Sequence, residues 1–119
     1  MPDLLKDLHD IVEQRRAARE EGSYTAYLFD AGIDKILKKL GEECTETIIA
    51  AKNLQVCEGN GDGLEAREAL TNEAGDLLYH LTVMLSELGI DPEEVEAVLR
   101  GRMQKTGNLK QPHKSDKDT

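Results

Sequence analysis

Tryptophan is absent from this chain of 119 residues, which has one phenylalanine and three tyrosines. With so few rings, a core has to be assembled from Leu, Ile, Val and Ala, which suits helices packed on helices better than a β-sandwich. Cysteine is scarce as well. Cys44 and Cys57 stand alone, with no CxxC pair and no disulfide framework, and read as a small buried residue and a loop thiol. No run approaches the roughly 20 apolar residues that a membrane span needs. The first ten residues lack the basic-then-apolar pattern of an export signal, so a cytoplasmic location is expected. Positive charge is also short: Lys and Arg total 15 against 24 Asp and Glu, a formal net charge of −9. That balance argues against nucleic acid or an anionic membrane as partner. It leaves room for a small phosphate ligand, because a bound divalent cation reverses the local field.

What the chain does have is helical spacing. Leu4, Leu5, Leu8, Ile11 and Val12 follow a start at Asp3, and the segment turns charged through Glu21 before a stop at Gly22. The stretch Ser23 to Phe29 carries most of the aromatics and ends at Gly32. A helix is predicted from Ile33 to about Asn53, with Ile33, Ile36, Leu37, Leu40, Cys44, Ile48 and Ala51 along one side. Gly59, Gly61 and Gly63 interrupt it. A second long helix runs from about Leu64 to Leu88 through Leu70, Leu77, Leu81 and Met84, with Gly89 as its stop. Asp91-Pro92-Glu93-Glu94 begins a last helix carrying Val95, Val98, Leu99 and Met103. From Gln104 to Thr119 the chain is polar and aperiodic, so a disordered tail is expected. The prediction is a single all-α domain over residues 1–103, a bundle of four to five helices. So small an apolar supply predicts a core completed by dimerisation.

Two groups of acids stand out, Glu42-Glu43-x-x-Glu46 and Glu73-x-x-Asp76. At about 100° per residue, Glu42, Glu43 and Glu46 share one arc, with Lys35 and Lys39 earlier on the same stripe. The apolar residues of this helix are expected to point the other way, leaving a core face and a carboxylate face. A solvated face laced with Lys–Glu pairs is the ordinary reading of such a stripe. Here, however, the i,i+4 pairs Lys38–Glu42 and Lys39–Glu43 have the weaker orientation. Glu73 and Asp76 lie on the shoulder of an apolar stripe, with His80 on the same edge. Acids beside a core need a partner, since an unpaired charge removed from water is costly.

A divalent cation held by both helices supplies that partner. An oxygen-only set of carboxylates suits magnesium or manganese, which keep some waters and take their other ligands from substrate phosphates. A phosphate ester or phosphoanhydride is therefore the expected substrate, with Lys35, Lys39 and Lys52 as candidate contacts to it. His80 reads as a residue that orients a carboxylate or satisfies a core hydrogen bond. Gly75, in mid-helix, reads as the close approach of a partner helix. There is no Walker A loop, no dinucleotide-binding glycine loop, no nucleophile elbow and no Glu-x-x-His pair.

The order Glu-Glu-x-x-Glu then Glu-x-x-Asp resembles the MazG-like, all-α nucleoside triphosphate pyrophosphohydrolases. The surrounding text is more specific. Ser23-Tyr24-Thr25-Ala26-Tyr27-Leu28-Phe29, Lys35-Ile36-Leu37-Lys38-Lys39-Leu40-Gly41-Glu42-Glu43 and Glu73-Ala74-Gly75-Asp76-Leu77-Leu78-Tyr79-His80 resemble the phosphoribosyl-ATP pyrophosphatase family of histidine biosynthesis. The similarity spans about residues 4 to 102, and Cys44 and Gly75 stand where that family more often has alanine. The resemblance implies hydrolysis of phosphoribosyl-ATP to phosphoribosyl-AMP and pyrophosphate. It implies Glu42, Glu43, Glu46, Glu73 and Asp76 as magnesium-binding and catalytic acids, with Glu43 or Glu46 activating the water. Tyr24, Tyr27 and the lysines are implied contacts to the base or phosphoribosyl group. A single reaction step is expected, since no cyclohydrolase domain is present. Two other readings stay open on the residues alone: a housecleaning hydrolase of ordinary or damaged (deoxy)nucleoside triphosphates, and a non-enzymatic helical interaction module.

Overall fold

The computed structural model describes residues 3–57, 63–105 and 110. Among them are five helices and no strand, as the composition and spacing predict: α1 (Leu4–Ala17), α2 (Tyr24–Ala31), α3 (Ile33–Cys57), α4 (Gly63–Glu87) and α5 (Pro92–Lys105). Local chemistry sets their ends. Asp3 accepts the Lys6 N–H and Ser23 accepts that of Ala26, both at 3.2 Å, opening α1 and α2. Gly32 bridges α2 to α3 at φ +97° and Gly89 closes α4 at φ +74°, left-handed conformations that a side chain would strain. At α5, Asp91 accepts the Glu93 N–H while Glu94 reaches back to the Asp91 N–H, both at 2.9 Å.

Three boundaries differ from the sequence reading. α1 stops at Ala17 instead of running through the charged residues to Gly22. Arg19 folds back, donating to the Arg16 carbonyl at 3.0 Å and pairing with Asp30 of α2 at 2.7 Å, so these charges build the corner instead of another turn. α3 continues past Asn53 to Cys57, which is therefore a helical, half-buried residue and not a loop thiol. Of the tail predicted to be disordered from Gln104 onward, Gln104 and Lys105 are instead the last residues of α5, and the rest, apart from Lys110, lies outside the described residues.

α3 and α4, of 25 residues each, form a long antiparallel pair, and α1 and α2 pack across one end of it. The core sits at that end: Val12 of α1, Leu28 and Phe29 of α2, Ile36 of α3 and Val83 of α4, flanked by Tyr79 and Met84. The guanidinium of Arg16 stands 5.6 Å from the Phe29 ring centre and covers it from solvent. Fully buried Ser86 donates to Glu13 at 3.0 Å and fastens α1 to α4.

The expected division of α3 into a core face and a carboxylate face is reversed in part. Of its anticipated core stripe only Ile36 is buried; Leu37 is 44% exposed and Ile48 69%, and Cys44 is exposed as well. Glu43, by contrast, is only 8% exposed. The cause is the position of α4, which covers the side bearing Ile36, Glu43 and Ala50 and leaves the Leu37–Ile48 stripe uncovered. Gly75 is exposed, and among the described residues nothing beyond its own stretch of α4 comes within 4 Å of where its Cβ would stand, so none of the other described helices approaches there. No helix among the described residues is long and apolar enough to cross a membrane.

Candidate active site

The antiparallel packing brings the two acidic motifs face to face. Glu43 of α3 and Glu73 and Asp76 of α4 each offer a carboxylate oxygen, all within 4.8 Å of one another. One oxygen of Glu43 and one of Glu73 are buried with no hydrogen-bond partner. Thr47, a half-buried residue the sequence reading passed over, locks the pair: its hydroxyl donates to the Glu43 carbonyl at 2.7 Å and reaches the Glu73 carbonyl at 3.4 Å. Its signal was available, since it stands one turn after Glu43 on the same stripe.

Like charges in so small a space are held apart from their ordinary protonation. Burial, then hydrogen bonding with Glu46 and Glu43, raises the Glu73 carboxyl to about 7. Burial raises Glu43 as well, the nearby charges of Glu46 and Asp76 adding to it, while its hydrogen bond with Glu73 works against it. A cluster that has to retain a proton near neutral pH is short of positive charge. Its donors are oxygen only, and octahedral ligands about 2.1 Å from a small cation stand ~3–4 Å from each other. The unpartnered oxygens of Glu43 and Glu73 thus fit a hard divalent ion.

The five predicted acids are not equivalent. Glu46 is exposed and borders the cluster beside Glu73. Glu42 lies outside the close group, pairing with Lys39 at 3.2 Å, which keeps its carboxyl below the usual range. Lys39 also sits near Tyr24, whose hydroxyl is raised by burial and lowered by that ammonium. Lys35 stands 6.0 Å from the centre of the Tyr27 ring. Tyr24, Tyr27, Lys35 and Lys39 therefore form a basic, aromatic edge beside the acids. Lys52 does not join them: it donates to Gln55 at 2.6 Å and lies about 180° around α3 from Glu43.

His80 meets no carboxylate. It is 4% exposed, and its Nδ1–H donates to the Asp76 backbone carbonyl at 2.8 Å. That fixes the tautomer, so Nε2 accepts from the Tyr24 hydroxyl at 3.0 Å. The Tyr79 ring packs edge-on against His80 with centres 4.9 Å apart, and its hydroxyl bonds Thr25. A buried polar chain thus ties α2 to the backbone of the Asp76 turn. Of the two roles read from the sequence, the core hydrogen bond is the one observed.

On the far side of the acids an open cleft of about 590 Å³ continues between α3 and α4 towards Cys57 and Glu65. The sequence reading did not see it, although Asn53, which lines it, stands two turns after Glu46 on one stripe.

Fold and site together define an all-α protein with a carboxylate cluster clamped between two antiparallel helices and a basic edge at its side. Residues 5–103 match the family described as phosphoribosyl-ATP pyrophosphohydrolase, and the chain belongs to that family. The Streptococcus thermophilus protein named phosphoribosyl-ATP pyrophosphatase is 49% identical over 106 residues, covering 89% of this chain and 91% of that protein. The protein of the same name from Pelotomaculum thermopropionicum is 48% identical over 103 residues, covering 87% and 94%. That of Lactiplantibacillus plantarum is 43% identical over 106 residues, covering 89% and 90%.

Proposed function

We propose that this chain hydrolyses phosphoribosyl-ATP to phosphoribosyl-AMP and pyrophosphate, the histidine-biosynthesis step for which its relatives are named, using magnesium or manganese held by the acid cluster. The observation that carries the reading is the face-to-face placement of Glu43, Glu73 and Asp76 with two buried, unpartnered oxygens, in a chain of this family. The ion, when bound, grips the triphosphate and neutralises the charge that develops on it.

The chain's own residues do the rest. Glu43, Glu73 and Asp76 would hold the ion, and Glu42 stays with Lys39 at the rim. Glu46, exposed beside the cluster, orients a water and takes its proton, with Glu43 as the other residue placed for that role. The water attacks in line at the α–β phosphoanhydride, the bridging bond breaks, and its electron pair leaves with pyrophosphate. Lys39 and Lys35 meet the phosphates from the basic edge. Positioning and charge neutralisation supply most of the acceleration.

The chain acts as a homodimer or larger homo-oligomer. Leu37, Cys44 and Ile48 form an exposed apolar stripe on the side of α3 away from α4, and Leu78 and Leu81 of α4 line a separate apolar groove with Leu5 and Val95; a core of this size leaves both uncovered within one copy. Its place in the cell is the cytoplasm, which keeps the two free thiols reduced.

The test is pyrophosphate release from phosphoribosyl-ATP, ATP and dUTP in parallel, each with magnesium or with EDTA. Magnesium-dependent release from phosphoribosyl-ATP alone is the expected result. Release from dUTP but not from phosphoribosyl-ATP would move the chain to housecleaning, and no release from any of them would leave an interaction module.

A further inference from the structure

The cleft beyond the acids differs in character from the edge that bears the lysines. Ile49 and Val56 of α3 and Ala66 and Ala69 of α4 supply aliphatic walls, with Asn53 and Glu65 as polar groups towards the far end. Glu46 and Glu73 stand at the near end, shared with the cluster. No lysine or arginine is among its described lining residues. A phosphate without its cation is therefore unwelcome in it, whereas a flat, apolar or cationic ring is not. From Glu46 to Asn53 is about 10 Å along the helix axis, and from Glu73 back to Glu65 about 12 Å. Those lengths match the span of a nucleotide from its α phosphate to the outer edge of its base. With the phosphates at the metal and the lysine edge, the nucleoside has this cleft in front of it.

The substrate reading gives that base an unusual charge. In phosphoribosyl-ATP the extra ribosyl group is carried on N1 of adenine. Alkylation there turns the N1–C6–N6 unit into an amidine, a far stronger base than adenine, and its protonated form is a delocalised cation. Ordinary adenine is neutral at pH 7. We propose that the cleft takes the N1-alkylated adenine as this cation, and that Glu65, with Asn53 beside it, is the residue that separates it from ordinary adenine nucleotides. The proposal rests on the phosphoribosyl-ATP reading of the site. Among the described residues, Glu46 and Cys57 of α3 and Glu65 and Glu73 of α4 are the titratable groups that line the cleft, and none of them is basic. With Glu46 and Glu73 assigned to the water and the ion in the proposed reaction, Glu65 is the remaining carboxylate among the described lining residues and is placed for a charge-assisted hydrogen bond from N6. The Asn53 amide accepts from or donates to the same edge of the base.

The experiment compares 1-methyladenosine with adenosine, titrated into the full chain at neutral pH and followed by amide chemical shifts. Neither probe carries a phosphate, so the outcome does not depend on hydrolysis. The expected result is about tenfold tighter binding of 1-methyladenosine, the size of one charge-assisted hydrogen bond. Shifts should centre on Ile49, Asn53, Val56 and Ala69. Glu65→Gln should reduce the preference to within about twofold. Glu68→Gln, one turn further and outside the cleft, is the control that keeps the preference. Equal affinity for the two nucleosides, no binding, shifts confined to other surfaces, or a preference that survives Glu65→Gln would each overturn the proposal. Turnover of phosphoribosyl-ATP by the unaltered chain is read separately. Selective nucleoside binding without turnover would refute the assigned reaction and not the cleft, and turnover without selective binding would do the reverse.

Discussion

Tyr24 donates its hydroxyl to His80 Nε2 at 3.0 Å, across 56 positions of sequence, and the same ring's Nδ1–H holds the Asp76 carbonyl at 2.8 Å. A tyrosine at the start of α2 thereby fixes the backbone that carries one acid of the cluster. Tyr24→Phe leaves a buried ring nitrogen unpaired, at a cost of about 1 kcal/mol, or a fall of roughly 5 °C in Tm. Activity should fall in kcat more than in KM, because the group removed positions Asp76 and does not carry the metal. Melting curves and steady-state kinetics on the one variant test both statements. An unchanged Tm with a higher KM would instead make Tyr24 a substrate contact, as the resemblance implies.

The raised carboxyl of Glu73 gives the ion-free protein a pH dependence of definite sign. Its folded value of about 7 lies above the ordinary 4.5. Between these values the unfolded chain has released a proton that the folded chain keeps, so stability is present at low pH and is lost as pH rises. In EDTA, Tm should fall between pH about 5 and about 7.5, and Glu73→Gln should flatten that slope. Magnesium should restore the Tm at the upper end and release protons on binding. A Tm in EDTA that rises across this range would show that Glu73 does not keep a proton in the folded chain.

The two glutamates at the head of the first motif should separate in function. Glu43 is buried in the cluster, while Glu42 is turned to Lys39. Asp76→Asn and Glu43→Gln should each lower magnesium-dependent turnover roughly 100-fold or more. Glu42→Gln should cost less than about tenfold, the scale of a group acting on charge from outside the coordination set. Equal losses at positions 42 and 43 would mean that Lys39 gives up Glu42 when the ion is bound.

How much of this could be read before folding depends on the kind of information each feature carries. Helix positions are local: Ser23, Gly32, Gly89 and the Asp91–Glu94 segment mark ends through bonds to near neighbours. The acid cluster was legible because the spacing within each helix is fixed by its 3.6-residue turn. What could not be read is which side of α3 receives α4. Ile48 and Cys44 looked like core and Glu43 looked like surface, because hydrophobicity names the residues that seek burial without naming their partner. The separation of Glu42 from Glu43, the Thr47 tie and the Tyr24–His80 link all follow from that undetermined rotation. So does the distance of Lys52 from the site.

The uncovered stripe yields the last prediction. Ile48 is 69% exposed and Leu37 44%, on the side of α3 turned away from Glu43 and α4. A charge at position 48 therefore costs the isolated fold little, since exposed substitutions usually change stability by less than about 0.5 kcal/mol. In an interface between two copies the same charge is buried unpaired on both sides of a two-fold axis. Ile48→Asp should thus convert the proposed oligomer to a monomer in sedimentation velocity while the helical circular dichroism is retained. Thr45→Asp, on an exposed position whose hydroxyl only bonds back to the Gly41 carbonyl at 3.1 Å, is a comparison on the same helix. If Ile48→Asp leaves the sedimentation coefficient of the unaltered oligomer intact, the copies meet through another face, for which the exposed Val95, Val98 and Leu99 of α5 are next in line.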